Sequence, residues 1–101
     1  MYRATRSFPI EERFGLQSQT RRAAVSIAAN LVEGCARRTK SDYARFVDIA
    51  FASSRELSYL ISLAARLEYW PQTEAPRLAR DSNFLCGVLT RLRASLGVLE
   101  D

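Results

Sequence analysis

Four polar residues have the types and spacing to do chemistry between helices: Arg22, Asn30, Glu33 and Glu56. Asn30 and Glu33 lie three residues apart, so a helix places them on one face, and Arg22 falls two turns earlier near that face. Glu56 falls near the middle of the helix expected to oppose them. One reading is a pair of carboxylates for metal binding or hydrolysis. The other is a hydrogen-bonded and ionic set between helices that fixes their register, a role buried charges serve when paired, with or without a gain in stability. Carboxylate-bridged metal bundles combine glutamate with a Glu-x-x-His motif, and this chain has no histidine. The inter-helix network is therefore the expectation, and no catalytic residue, metal ligand or cofactor site is assigned.

A second group is basic: Arg21, Arg37, Arg38 and Lys40. One reading is a solvated face whose last members compensate the negative end of a helix dipole. The other is a surface that contacts phosphates of RNA or DNA. The first 40 residues carry eight basic side chains against three acidic ones, and the remainder carries seven against eight. That asymmetry permits an anionic partner. Specific RNA recognition calls for exposed aromatic rings, whereas most of Tyr2, Tyr43, Tyr59, Tyr69 and Trp70 fall at core-compatible spacing. No helix-turn-helix pattern is evident, so the nucleic-acid reading is one of non-specific contact. Cys35 and Cys86 have no metal-ligand spacing, and there is no phosphate-cradling glycine loop. The expectation is a protein that is not an enzyme, takes no cofactor and has no small-molecule substrate.

The elements that must position these groups are helical. Four glycines and three prolines in 101 residues are too few for a protein of many tight turns. The spacing predicts a helix from about Leu16 to about Arg37, with Ala23, Ile27 and Leu31 on its inner face and Gly34 as a C-terminal signal. Ala23, Ala24, Ser26, Ala28 and Ala29 leave little bulk on it, so another helix can approach closely. A longer helix is predicted from near Ser41 to about Tyr69, capped by Thr39 or Ser41 with Asp42 in its first turn. It carries two apolar stripes and therefore contacts more than one neighbour. Pro71 ends it, and Tyr69, Trp70 and Pro71 form an aromatic corner that covers the end of the bundle. Thr73 is the expected cap of the last helix. There Leu85, Leu89, Leu92, Leu96 and Leu99, preceded by Leu78, follow the 4-3-4-3 spacing of a helical bundle or zipper.

The segment FPIEERFGLQSQTRRAAVSIAANLVEG closely resembles a small four-helix-bundle family encoded in intervening sequences of bacterial 23S ribosomal RNA genes. The residues that carry the resemblance are Phe8 and Pro9, Glu12, Gly15 and Leu16, Gln19, Arg22 and Ala23, Ser26 and Ile27, Asn30, Glu33 and Gly34. Downstream, Tyr43, Phe46, Ala52, Ser53, Glu56 and Leu57 fit the same pattern. The resemblance implies an antiparallel up-down bundle that forms a ring-like homo-oligomer, commonly a pentamer, with no established catalytic activity. A distant relative by fold is the basic accessory protein of diversity-generating retroelements, which is associated with nucleic acid. Two departures stand out. Only seven residues precede Phe8, so the first helix is either a stub or completed by residues ahead of Met1. Gln17 stands where the family often has threonine, a better cap.

The combined expectation is one all-α domain over residues 1–101, an antiparallel four-helix bundle that associates with copies of itself in a structural or adaptor role. The rival reading is non-specific RNA or DNA binding through the basic first half. No apolar run reaches the roughly 20 residues needed to span a bilayer, and no secretory signal opens the chain. A cytoplasmic protein without a membrane partner is the default.

Overall fold

The computed structural model describes residues 1–97. Among them are three α-helices, α1 (Leu16–Cys35), α2 (Lys40–Arg66) and α3 (Ala75–Ser95), and two short 3-10 turns, Ala4–Ser7 and Ile10–Glu12, with no strand. The fold is all-α, but the described residues supply three helices rather than four. At the place of the first helix, expected as a stub or as completed ahead of Met1, the described residues form only the Ala4–Ser7 turn. Phe8 precedes a proline and is extended, with φ −65° and ψ 147°, as the steric clash with the proline ring requires.

Helix α1 begins after Gly15, which offers no side-chain cap. Glu12 does the work from three residues upstream: its Oε1 accepts the Leu16 backbone N–H at 2.9 Å. The absent threonine at position 17 is thus compensated. Gln17 instead donates from Nε2 to the Thr5 carbonyl at 2.9 Å, tying the N-terminal turn to α1. The helix stops at Cys35, two residues short of the expected Arg37. Gly34 is not its terminator, since it lies within the helix and its φ is not positive. It is buried, and a Cβ placed there would lie 2.8 Å from Tyr43 Cδ1 and 3.0 Å from Phe46 Cβ. The glycine exists for the close approach of α1 to α2.

Helix α2 is capped as expected: Thr39 Oγ1 accepts the Asp42 N–H at 3.1 Å. It ends at Arg66, before the predicted Tyr69, and Pro71 is not the cause. Glu68 adopts φ 62°, and the chain closes with Glu68 N–H to Ala65 O and Tyr69 N–H to Ala64 O, both 3.0 Å. This is the left-handed closure that usually carries glycine. At 27 residues the helix is about 40 Å long, matching the 43 Å long axis of the molecule.

Helix α3 follows Glu74, whose side chain makes no capping bond, so Thr73 is not the cap. Its buried face is Leu78, Ser82, Cys86 and Leu89. Leu85, Leu92 and Leu96 are only half-buried, and Leu99 lies outside the described residues. Leu78 and Leu89 of the leucine stripe thus face α2, while Leu85, Leu92 and Leu96 flank the contact surface, where small polar side chains also meet α2 directly. Ser58 and Ser82 hydroxyls are 2.5 Å apart, and Ser54 Oγ lies 3.2 Å from Cys86 Sγ.

Helix α2 is the centre of the molecule. It packs against both α1 and α3, which do not pack closely on each other. Its Val47, Ala50 and Ala64 are fully buried, and Ala23, Ile27 and Leu89 close on it from the two sides. At one end Trp70 is 6% exposed. It packs at a tilt against Phe8 with ring centroids 5.1 Å apart and donates from Nε1 to the Ala4 carbonyl at 2.6 Å. The aromatic corner covers the bundle end and pins the N-terminal turn there.

Candidate functional site

The four residues expected to form one network are not brought together. Arg22, Glu33 and Glu56 are exposed, and Asn30 is half-buried. Glu33 pairs along its own helix with Arg37, Nη2 to Oε1 at 3.4 Å. Arg22 and Glu56 have no ion-pair partner among the described residues. Asn30 alone adjoins an inter-helix contact, one that serines make. Its Nδ2 donates to the Ser26 carbonyl at 2.8 Å and to Ser26 Oγ at 3.1 Å, while Ser26 Oγ lies 2.8 Å from Ser53 Oγ of α2. Burying three neutral groups requires far less desolvation than burying an arginine and two carboxylates. The small side chains let the helices meet where charged ones would hold them apart. The Glu33 and Glu56 carboxylates do not converge on a site.

The second polar link was not anticipated. Besides capping α1, Glu12 accepts the Tyr69 hydroxyl on Oε2 at 2.8 Å, joining the Ile10–Glu12 turn to the α2–α3 connection. The Leu16 N–H first, and the Tyr69 hydroxyl second, hold the Glu12 carboxyl below its usual 4.5. The hydrogen bond to Glu12 in turn raises Tyr69 above its usual 10.0. A carboxyl lowered on folding stabilises the fold above its unfolded pKa, and that stability is lost as pH falls through the lowered value. Thermal melts between pH 7 and pH 3 should therefore show a steeper acid decline for the native chain than for Glu12→Gln, which also melts lower at pH 7. Identical acid declines would remove this role.

The basic group also divides. Arg21 sits at the N-terminal end of α1, Nε donating to Thr5 Oγ1 at 2.8 Å, with its guanidinium 4.7 Å from the centre of the Tyr2 ring. Arg37, paired to Glu33, lies 16 residues away, roughly 24 Å along a helix. Arg38 and Lys40 are exposed at the α1–α2 connection. The four residues do not make one surface.

Two features now stand out. The first is a notch. The N-terminal turn is held on the side of α1 that carries Gln17 and Arg21, and that side continues, at spacings of three and four, as Ala24, Ala28 and Leu31. No helix of the described residues occupies the place alongside them. Val25 and Val32 flank it at 49% and 71% exposure. On α3, the flank away from Arg93 carries half-buried Leu85, Val88 and Leu92, while Arg93 is bonded to Asp48 of α2 at 2.8 Å. The second feature is a groove of about 540 Å³ between the N-terminal turn and α1, lined by Tyr2, Arg13, Phe14, Arg21 and Arg22 among others. Sequence reasoning missed Arg13 and Phe14, because neither falls on a helical stripe. The only signal was an aromatic residue inside a charged turn.

Among the described residues no helix is long and apolar enough to cross a membrane, and no cluster of cysteine, aspartate or glutamate is arranged to hold a metal ion. A comparison with curated proteins gives no match. A family model described as 23S rRNA-intervening sequence protein matches residues 1–91. It spans the N-terminal turns, α1, α2 and most of α3, and so takes in the Glu12 link, the serine contacts and both surface features. On that match the chain belongs to the family of 23S rRNA-intervening sequence proteins.

Proposed function

We propose that the protein is a non-catalytic helical module that associates with copies of itself, the helix of a neighbouring copy completing a four-helix arrangement. The observation that carries this reading is the open notch. Two apolar flanks, Ala24, Ala28 and Leu31 on α1 and Leu85, Val88 and Leu92 on α3, stand beside a central helix that serves both. A chain of 101 residues buries a modest share of its surface alone, so covering this face removes apolar area from water at about 25 cal/mol per Å². Small side chains on α1 admit a helix at close range. A ring of copies, five in the form the family resemblance implies, repeats that contact until it closes. The setting is an adaptor or scaffold.

Light scattering on the purified chain tests the reading. The expected mass is a multiple of 11.4 kDa, and Ala28→Glu with Leu92→Glu returns it to one copy while helicity is kept. A native chain that stays at one copy across the micromolar range would end this proposal.

A further inference from the structure

The groove between the N-terminal turn and α1 carries a separate inference. We propose that it binds single-stranded nucleic acid, with arginines on the phosphates and with Phe14 and Tyr2 as stacking surfaces for unpaired bases. Phe14 is 88% exposed and Tyr2 56%. Each has a guanidinium over its ring, Arg13 at 5.8 Å from the Phe14 centroid and Arg21 at 4.7 Å from that of Tyr2. A second groove, of about 310 Å³, shares Arg13 and Arg21 with the first and adds Arg6. Among the described residues no acidic side chain lines either groove.

The charge there is uncompensated. Arg37, Arg45, Arg77 and Arg93 each pair with a carboxylate, whereas Arg6, Arg13, Arg21 and Arg22 have no carboxylate partner among the described residues. The nearby Glu12 is committed to the Leu16 N–H and the Tyr69 hydroxyl. The groove is also held in shape. Arg21 is fixed by Thr5 Oγ1 and the Tyr2 carbonyl, at 2.8 and 3.3 Å, and the turn that carries them is pinned by Trp70.

The chemistry selects the ligand. Guanidinium groups alone would serve any polyanion. Exposed rings beside them add affinity only for a partner with flat faces to stack, which unpaired bases have and a duplex hides inside its own stack. An acidic peptide matches the charge and leaves the rings unused. The site is distinct from Arg37, Arg38 and Lys40 at the other end of α1, and it does not depend on self-association.

Fluorescence anisotropy with a labelled oligouridine 12-mer and a thymidine 12-mer, each competed with a duplex of equal length and with polyglutamate, tests the proposal. Single strands should bind with an affinity that falls steeply with salt. Arg13→Gln with Arg22→Gln should lower the slope of log affinity against log salt by about 1.4, at about 0.7 per phosphate contact on a single strand. Phe14→Ala, which removes an exposed ring, should weaken binding at least about fivefold, as the loss of one stacked base does. Arg37→Gln with Arg38→Gln should leave binding unchanged. Circular dichroism and light scattering confirm that each variant keeps its fold and mass. The proposal is overturned by an absence of binding, by duplex or polyglutamate competing as well as single strand, or by Phe14→Ala binding like the native chain.

Discussion

Trp70→Ala is expected to destabilise the fold by about 3–5 kcal/mol, the range for removing a large aromatic side chain from a core. Trp70 is the only tryptophan and is 6% exposed. Its loss leaves a void against Phe8, whose ring also meets Tyr69 at 5.2 Å. It also removes the Nε1 bond to the Ala4 carbonyl that pins the N-terminal turn. The consequence spreads, because the Ala4–Ser7 turn holds Thr5, and Thr5 accepts from both Gln17 and Arg21. For a domain of this size each kcal/mol moves the melting midpoint by about 4–8 °C, so the shift exceeds about 12 °C. Trp70→Phe keeps most of the ring volume and loses the donor, so it should cost about 1–2 kcal/mol. Urea unfolding followed by circular dichroism measures both. A Trp70→Ala loss below about 1 kcal/mol would show that the aromatic corner is a surface ornament.

Gly34→Leu should be nearly as damaging, at about 3 kcal/mol, the upper end for overpacking a close contact. The comparison with Gly34→Ala separates two effects of opposite sign. Helix propensity favours alanine over glycine by about 1 kcal/mol in a helix interior. Packing opposes it, since a Cβ at position 34 meets Tyr43 Cδ1 at 2.8 Å and Phe46 Cβ at 3.0 Å. The Tyr43 ring can swing aside, but Phe46 Cβ moves only with the α2 backbone. The alanine variant should therefore be less stable than the native chain, and the leucine variant less stable still. Unfolding midpoints in that order confirm the close crossing of α1 and α2. An alanine variant more stable than the native chain by about 1 kcal/mol would mean that propensity alone governs position 34.

These two residues show how unevenly the sequence announces its structure. Trp70 was legible as a bundle-end residue because a Tyr-Trp-Pro run between two helical segments has few other uses. Gly34 was legible as special but for the wrong reason. A glycine near a helix end signals a left-handed closure by statistics, and only the neighbouring helix shows that the missing Cβ is what matters. Left-handed residues instead follow α2 at Glu68, which no local pattern marks, and α3 at Gly97. The candidate network failed in the same way. Arg22, Asn30, Glu33 and Glu56 were grouped by spacing, yet none reaches across; Asn30 bonds to Ser26 of its own helix, and the Ser26 hydroxyl meets Ser53 of α2. Arg13 and Phe14 were overlooked because their groove is formed by a turn folding back on a helix.

What the sequence determined alone is the all-helical class, the approximate extent of three helices, the α2 cap to within Thr39 or Ser41, and the apolar side of α1 and α2. These follow from local rules: side-chain period, capping chemistry, and the backbone limits of proline and glycine. Tertiary structure decided which flank of α3 is buried, that serines rather than charges bridge the helices, that Glu12 caps α1 from outside it, and that α1 and α3 are left apart around a notch. Those outcomes depend on distances between segments remote in sequence, where a few tenths of an ångström choose which side chain reaches its partner.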